Sequence, residues 1–161
     1  VDTALLAFLS KAKAVHIEAD IAEGEGDAAR AIAVLEQLLS GPVPGGDTAP
    51  PEAREVLADT LARQAELSSG TGDFARATDA IERGLGLARE LSHYRGRLME
   101  VLGVIEQRRH DKLREEGDEL GAEQAKARAI AALEEAVAIQ DEVIRKTLGD
   151  GGAAGGEPAG R

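Results

Sequence analysis

His16, Asp20 and Glu23 recur at i, i+4 and i+7, a spacing that puts one imidazole and two carboxylates on the same side of a helix. Such a donor set suits zinc or iron. It equally describes a solvated polar face opposite an apolar stripe, and Leu5, Phe8, Ala12 and Val15 supply that stripe, so no metal is expected. Glu106 and His110 stand at i and i+4, not at the i, i+3 spacing that di-iron helical bundles use for Glu and His. Ser68-Ser69-Gly70 has neither a preceding strand nor the Gly-Lys-Ser/Thr ending of a phosphate-binding loop. A serine nucleophile needs a positioned base and an oxyanion hole, and the three histidines, His16, His93 and His110, are scattered. The chain has no cysteine, so thiolate nucleophiles, disulfides and cysteine-based zinc sites drop out as well. The residues predict neither catalysis nor a cofactor.

A formal net charge of −11 repels phosphate backbones, so nucleic acid is not expected as a partner. The densest basic run, Arg108-Arg109-His110-Asp111-Lys112, is broken by an acid and followed by Glu115 and Glu116, which reads as a solvated helix face. No apolar run approaches the ~20 residues that span a bilayer. The run Ala4 to Leu9 is too short for that and lacks the basic flank of a signal peptide. No membrane partner is expected, and a cytoplasmic setting is. The chain opens on Val1 and not on Met, so an upstream segment is expected to have been removed. Asn is absent and Arg outnumbers Lys 14 to 5, the usage of a high-GC bacterial genome.

Helices must carry these side chains. Ala, Leu, Glu and Arg are strong helix formers, and the residues that favour strands are sparse. Aromatics are limited to Phe8, Phe74 and Tyr94, so Leu, Ile, Val and above all Ala must fill the interior. A length of 161 residues is enough for one domain with a real core. Internal repeats organise it. Ala29-Arg30-Ala31-Ile32-Ala33-Val34-Leu35-Glu36, Ala75-Arg76-Ala77-Thr78-Asp79-Ala80-Ile81-Glu82 and Ala127-Arg128-Ala129-Ile130-Ala131-Ala132-Leu133-Glu134 align without gaps as Ala-Arg-Ala-x-x-x-(Leu/Ile)-Glu.

The first two copies follow the same turn, Gly26-Asp27 and Gly72-Asp73, in which a flexible residue precedes an Asp able to cap the next helix. Upstream of the first turn, Leu5, Phe8, Ala12, Val15, Ala19 and Ala22 form an apolar stripe at helical spacing. Upstream of the second, Val56, Leu57, Leu61, Ala65 and Leu67 follow the same rhythm less cleanly. Each unit is therefore helix, tight turn, helix. Ala65, Gly72, Phe74, Ala77 and Ile81 in the second unit, with Ala19, Gly26, Ala31 and Leu35 in the first, make the chain resemble the tetratricopeptide repeat family over residues 12–144. That family sets small residues where two helices touch, Gly at the turn and a large apolar residue late in the second helix. Departures are visible: Val15 and Leu61 replace one aromatic, Ala22 and Ser68 another, and Gly84 stands where Ala is usual. The copies are 46 and 52 residues apart, against about 34 in the family.

The extra length has sources. Gly41 to Pro50 reads as a helix-free connector ahead of Pro51, which suits a helix's first turn. Leu98, Val101, Leu102, Ile105 and Leu113 predict a long helix to about Glu116, with a turn at Gly117-Asp118 or near Gly121. A last helix to Thr147 would bury Leu133, Val137, Val143 and Ile144. The expected architecture is all-α: about six helices in antiparallel hairpins, forming a short right-handed superhelix over residues 1–148. Its units are about 3–40, 51–91 and 93–147, and the Gly/Ala-rich tail 149–161 is expected to be disordered.

In the family, first helices line a concave groove. The resemblance therefore implies a partner surface at Lys13, His16, Asp20 and Glu23, at Asp59, Arg63 and Glu66, and at Arg97, Glu100 and Arg108. This mixed, slightly acidic set favours a protein or peptide ligand carrying basic residues. Family members that clamp acidic chaperone tails use Asn and Lys. Here Asp20 and Glu66 occupy positions where such a clamp has Asn, so that ligand is not expected. The expected function is a non-catalytic interaction module, with a self-associating helical bundle, a homodimer, as the alternative. An apolar stripe left exposed on the last helix would favour the alternative. His93-Tyr94-Arg95-Gly96 is similar to the His-x-x-Lys-Gly phosphoacceptor motif of histidine phosphotransfer domains, but Gly96 follows His93 by three residues, not four.

Overall fold

The computed structural model describes residues 2–152, with side chains through residue 149. Among these residues the secondary structure is helical, without a strand, so the fold is all-α. The helices are α1 (Thr3–Gly24), α2 (Ala28–Leu39), α3 (Pro51–Gly70), α4 (Phe74–Leu87), α5 (His93–Glu115) and α6 (Glu119–Gly152). The connector expected to be free of helix contains one 3-10 turn at Gly46–Thr48. The helix α6 runs past Thr147 to Gly152, so 149–152 of the segment expected to be disordered is helical; residues 153–161 lie outside the described residues.

Three identical turns fold the chain into hairpins. Gly26, Gly72 and Gly117 have φ of 76°, 85° and 81°, the left-handed region that ends helices. The following amides of Asp27, Asp73 and Asp118 donate back to the carbonyls of Ala22, Ser68 and Leu113 at 2.8–2.9 Å. Each Asp carboxylate then accepts an amide of the next helix, from Arg30, Arg76 and Gly121 in turn. One dipeptide thus closes one helix and opens the next. The third turn is Gly117-Asp118, and Gly121 already lies inside α6.

The helix α3 is central, touching α1, α2, α4 and α5. Phe8, Ala12, Val15, Ala19 and Ala22 of α1 pack with Ala31, Val34, Leu35 and Leu38 of α2 and with Ala53 and Leu57 of α3. Leu61, Ala62 and Ala65 of α3 join Ala77, Ala80 and Ile81 of α4 and Leu98, Val101 and Ile105 of α5. Fully burying each Leu or Ile contributes about 1.5–3 kcal/mol, and Leu61, Leu98 and Ile105 are buried to within 1% of their surface.

The last hairpin corrects the expectation for α6. Leu133, Val137 and Ile144 are 42%, 62% and 55% exposed, and Val143 is half-buried. The buried face is instead Ala122, Ala125, Ala129, Ala132, Ala136 and Ile139, spaced alternately by three and four. Opposite them on α5 are Gly96, Met99, Gly103, Glu106 and His110 in the same rhythm. Side chains of α6 lie over the two glycines: a Cβ on Gly103 would sit 2.6 Å from Leu133, and one on Gly96 would sit 2.5 Å from Gln140.

Candidate protein-interaction groove

His16, Asp20, Glu23, Asp59, Arg63, Glu66, Arg97 and Arg108 line one cavity of about 630 Å³ between α1, α3 and α5. Two residues expected with them are elsewhere. Lys13 is exposed beside a neighbouring depression of about 340 Å³ with His16, Asp59 and Tyr94. Glu100 is exposed on α5 and does not line the cavity. Ala28, Leu67, Gly70 and Thr71 also line it. They come from the ends of α2 and α3, where the turn, not the helix face, brings them in, and the helical period gave no sign of them.

Arg63 organises the α1 side. Its guanidinium pairs with both Asp20 and Glu23 and donates through Nη1 to the His16 carbonyl at 3.1 Å. Burial works against its charge, but the bonds to Glu23 and Asp20 outweigh that and raise its pKa. The Thr60 hydroxyl donates to the Val56 carbonyl at 2.7 Å, so its oxygen accepts from His16 Nε2 at 2.8 Å. That assigns the proton to Nε2 and leaves His16 Nδ1 as an acceptor facing Arg63 Nη1 at 3.4 Å. Burial lowers the His16 pKa; Asp59 opposes this, Arg63 adds to it, and Asp20 opposes it in turn. His16 is thus a neutral, doubly engaged ring.

On the α5 side, Arg97 bridges Asp59 at 3.4 Å and Glu66 at 3.9 Å. Arg108 donates through Nη1 to the Glu66 carbonyl at 2.8 Å and to the Ser69 hydroxyl at 2.7 Å. The four carboxylates and three guanidinium groups of the cavity are therefore largely held in place by one another and by backbone.

The basic run 108–112 is not one solvated face. Arg108 enters the groove, Arg109 donates to Thr78 at 3.0 Å with its guanidinium 5.2 Å from the Phe74 ring centre, and Lys112 lies 5.7 Å from the same centre. His110 is buried and donates through Nδ1 to the Ala122 carbonyl at 2.8 Å, while Glu106 pairs with Arg128 at 3.0 Å, so both serve the α5–α6 seam. Glu90 and His93 have i, i+3 spacing, but Glu90 precedes the Ser92 cap and shares no helical face with His93. His93 is exposed at the first position of α5. Among the described residues no three His, Asp or Glu side chains converge as a metal site, and no helix is long and apolar enough to cross a membrane.

Compared with protein-family models, with curated proteins and with solved structures, the chain finds no match.

Proposed function

We propose that the chain is a non-catalytic protein-interaction module of the tetratricopeptide-like kind, its three hairpins stacked as a short right-handed solenoid. A peptide or protein segment would lie in the groove between α1, α3 and α5. One observation carries this reading: eight polar side chains from three helices converge on a single 630 Å³ cavity and are held there by hydrogen bonds and ion pairs. Such preorganisation reduces the side-chain ordering that binding would otherwise cost, about 0.5–1.5 kcal/mol for each immobilised long side chain. The carboxylates outnumber the guanidinium groups, which favours a ligand carrying basic residues.

The test is selection of a phage-displayed random peptide library on the full chain and on an Asp59→Lys, Glu66→Lys double variant. Both side chains are more than 40% exposed, so the variant keeps the fold. The reading expects enriched peptides rich in Lys and Arg that the variant binds at least tenfold more weakly. Equal binding by the variant, or no enrichment at all, would count against it.

A second reading, a self-associating helical bundle, is favoured by the exposed apolar stripe Ile130, Leu133, Val137 and Ile144 on α6.

A further inference from the structure

We infer that copies of this chain stack head to tail, the outer face of α1 in one copy seated on the α5–α6 hairpin of the next. The internal junctions supply the pattern. Leu39, Leu85 and Ile130 each stand thirteen residues after a turn glycine, Gly26, Gly72 and Gly117. Leu39 packs against the cores of the first and second hairpins, and Leu85 against those of the second and third. Among the described residues no hairpin packs over Ile130, which is 49% exposed, and Leu133, Val137 and Ile144 continue its stripe. This is the place in each hairpin where the next first helix is received.

The other end offers the matching face. Ala7, Ala53 and Leu98 each precede their turn glycine by nineteen residues, and Ala14, Thr60 and Ile105 by twelve. In α3 and α5 all four of these residues are completely buried against the preceding hairpin's side of the molecule. Ala7 and Ala14 are exposed, and with Leu6, Ser10, Ile17 and Ile21 they make an uncharged stripe on α1 that points away from its own core. In stacked helical units, an apolar outer face of this kind is the one that receives a neighbouring unit.

Charge disfavours the alternative pairing of α6 with itself. Along the stripe from Leu6 to Ile21, α1 carries Lys11 and Lys13 together with Glu18 and Asp20. Between Ile130 and Ile144, α6 carries Glu134, Glu135, Asp141 and Glu142 and no base. An α6-to-α6 contact would bring like charges together, whereas the mixed flanks of the α1 stripe would not. The contact is heterologous, so it leaves a free face at each end of a dimer and allows growth. It continues the row of first helices that forms the groove, and it does not depend on the groove's having a ligand.

The experiment is size-exclusion chromatography with light scattering on the full chain over a concentration series, with Ile17→Glu and Val137→Glu variants. Stacking predicts a wild-type mass that rises with concentration past one chain, and monomers for each variant alone. An equimolar mixture of the two variants forms a dimer and nothing larger, because each supplies the face the other lacks. A wild type that is monomeric throughout, or variants that fail to pair when mixed, overturns the inference. A dimer of Ile17→Glu alone, with Val137→Glu monomeric, overturns it in favour of an α6-to-α6 contact. Far-UV circular dichroism checks that the variants keep their helix, and Ile21→Glu and Ile144→Glu replace either that does not.

Discussion

Arg63 and Arg108 occupy the same place in consecutive first helices, nine residues before Gly72 and Gly117, and each reaches back to the helix before it. Arg63 Nη1 donates to the His16 carbonyl at 3.1 Å and Arg108 Nη1 to the Glu66 carbonyl at 2.8 Å. Each guanidinium thereby ties one hairpin to the previous one along the groove floor. In α1, the first helix of the described residues, the same place holds Ile17. The groove and the hairpin junctions thus share residues, so groove chemistry and stability are coupled.

Arg63→Ala should therefore lower stability by about 1–3 kcal/mol, since a half-buried donor to a carbonyl and two carboxylates is lost. Asp20→Ala should cost under about 0.5 kcal/mol, because the Asp20 side chain is 68% exposed and its pairing is screened by water. Urea unfolding of the two variants checks this, and equal losses would contradict it.

Two glycines in helices make opposite predictions. A Cβ at Gly84 would lie 2.6 Å from Leu98, which is wholly buried and has nowhere to move, so Gly84→Ala should destabilise by about 1–3 kcal/mol. A Cβ at Gly103 would lie equally close to Leu133, but Leu133 is 42% exposed and can swing outward. There the gain of up to about 1 kcal/mol in helix propensity offsets the clash, so Gly103→Ala should be near neutral. Thermal melts of both variants separate the cases.

His16 is expected to make stability depend on pH. Its folded pKa lies below the ordinary 6.5, so the unfolded chain binds the proton more readily. The stability this contributes is complete above about pH 6.5 and is lost as pH falls through the lowered folded value. Urea midpoints at pH 7.5 and 5.5 should therefore drop for the wild type and drop less for His16→Gln, whose amide can still donate to Thr60. An identical drop in the variant would remove His16 as the cause.

Much of this was legible in the residues. The Gly-Asp turns mark the hairpins because only glycine takes the left-handed φ without strain and Asp caps the helix after it. The α1 stripe is equally plain, since Phe8 and Val15 interrupt a run of alanines at helical spacing. The register of the third hairpin is not. Ala122 stands four residues after Asp118, as Ala31 and Ala77 do after Asp27 and Asp73, and all three are buried. The matching Ala-Arg-Ala motif at 127–129 lies further along α6, so similarity of letters and equivalence of place diverge there. The buried face of α6 was hidden for a related reason. Met99, Glu106 and His110 of α5 supply the bulk of the seam, so alanines of α6 face them, while Leu133 lies over Gly103 with Val137 and Ile144 more exposed still, the reverse of what side-chain size suggests. In the groove, Glu100 and Lys13 share the charge of their neighbours but not their direction, and charge alone could not tell them apart.

The most direct test of the groove is amide chemical-shift mapping of the isotope-labelled full chain, titrated with a peptide enriched from the random library. Binding in the groove predicts shifts concentrated at His16, Asp20, Asp59, Arg63, Glu66, Arg97 and Arg108, with the outer surfaces of α2 and α4 unmoved. Shifts confined to the Ile130–Ile144 stripe of α6, or spread over α2 and α4 while the groove stays silent, would contradict it.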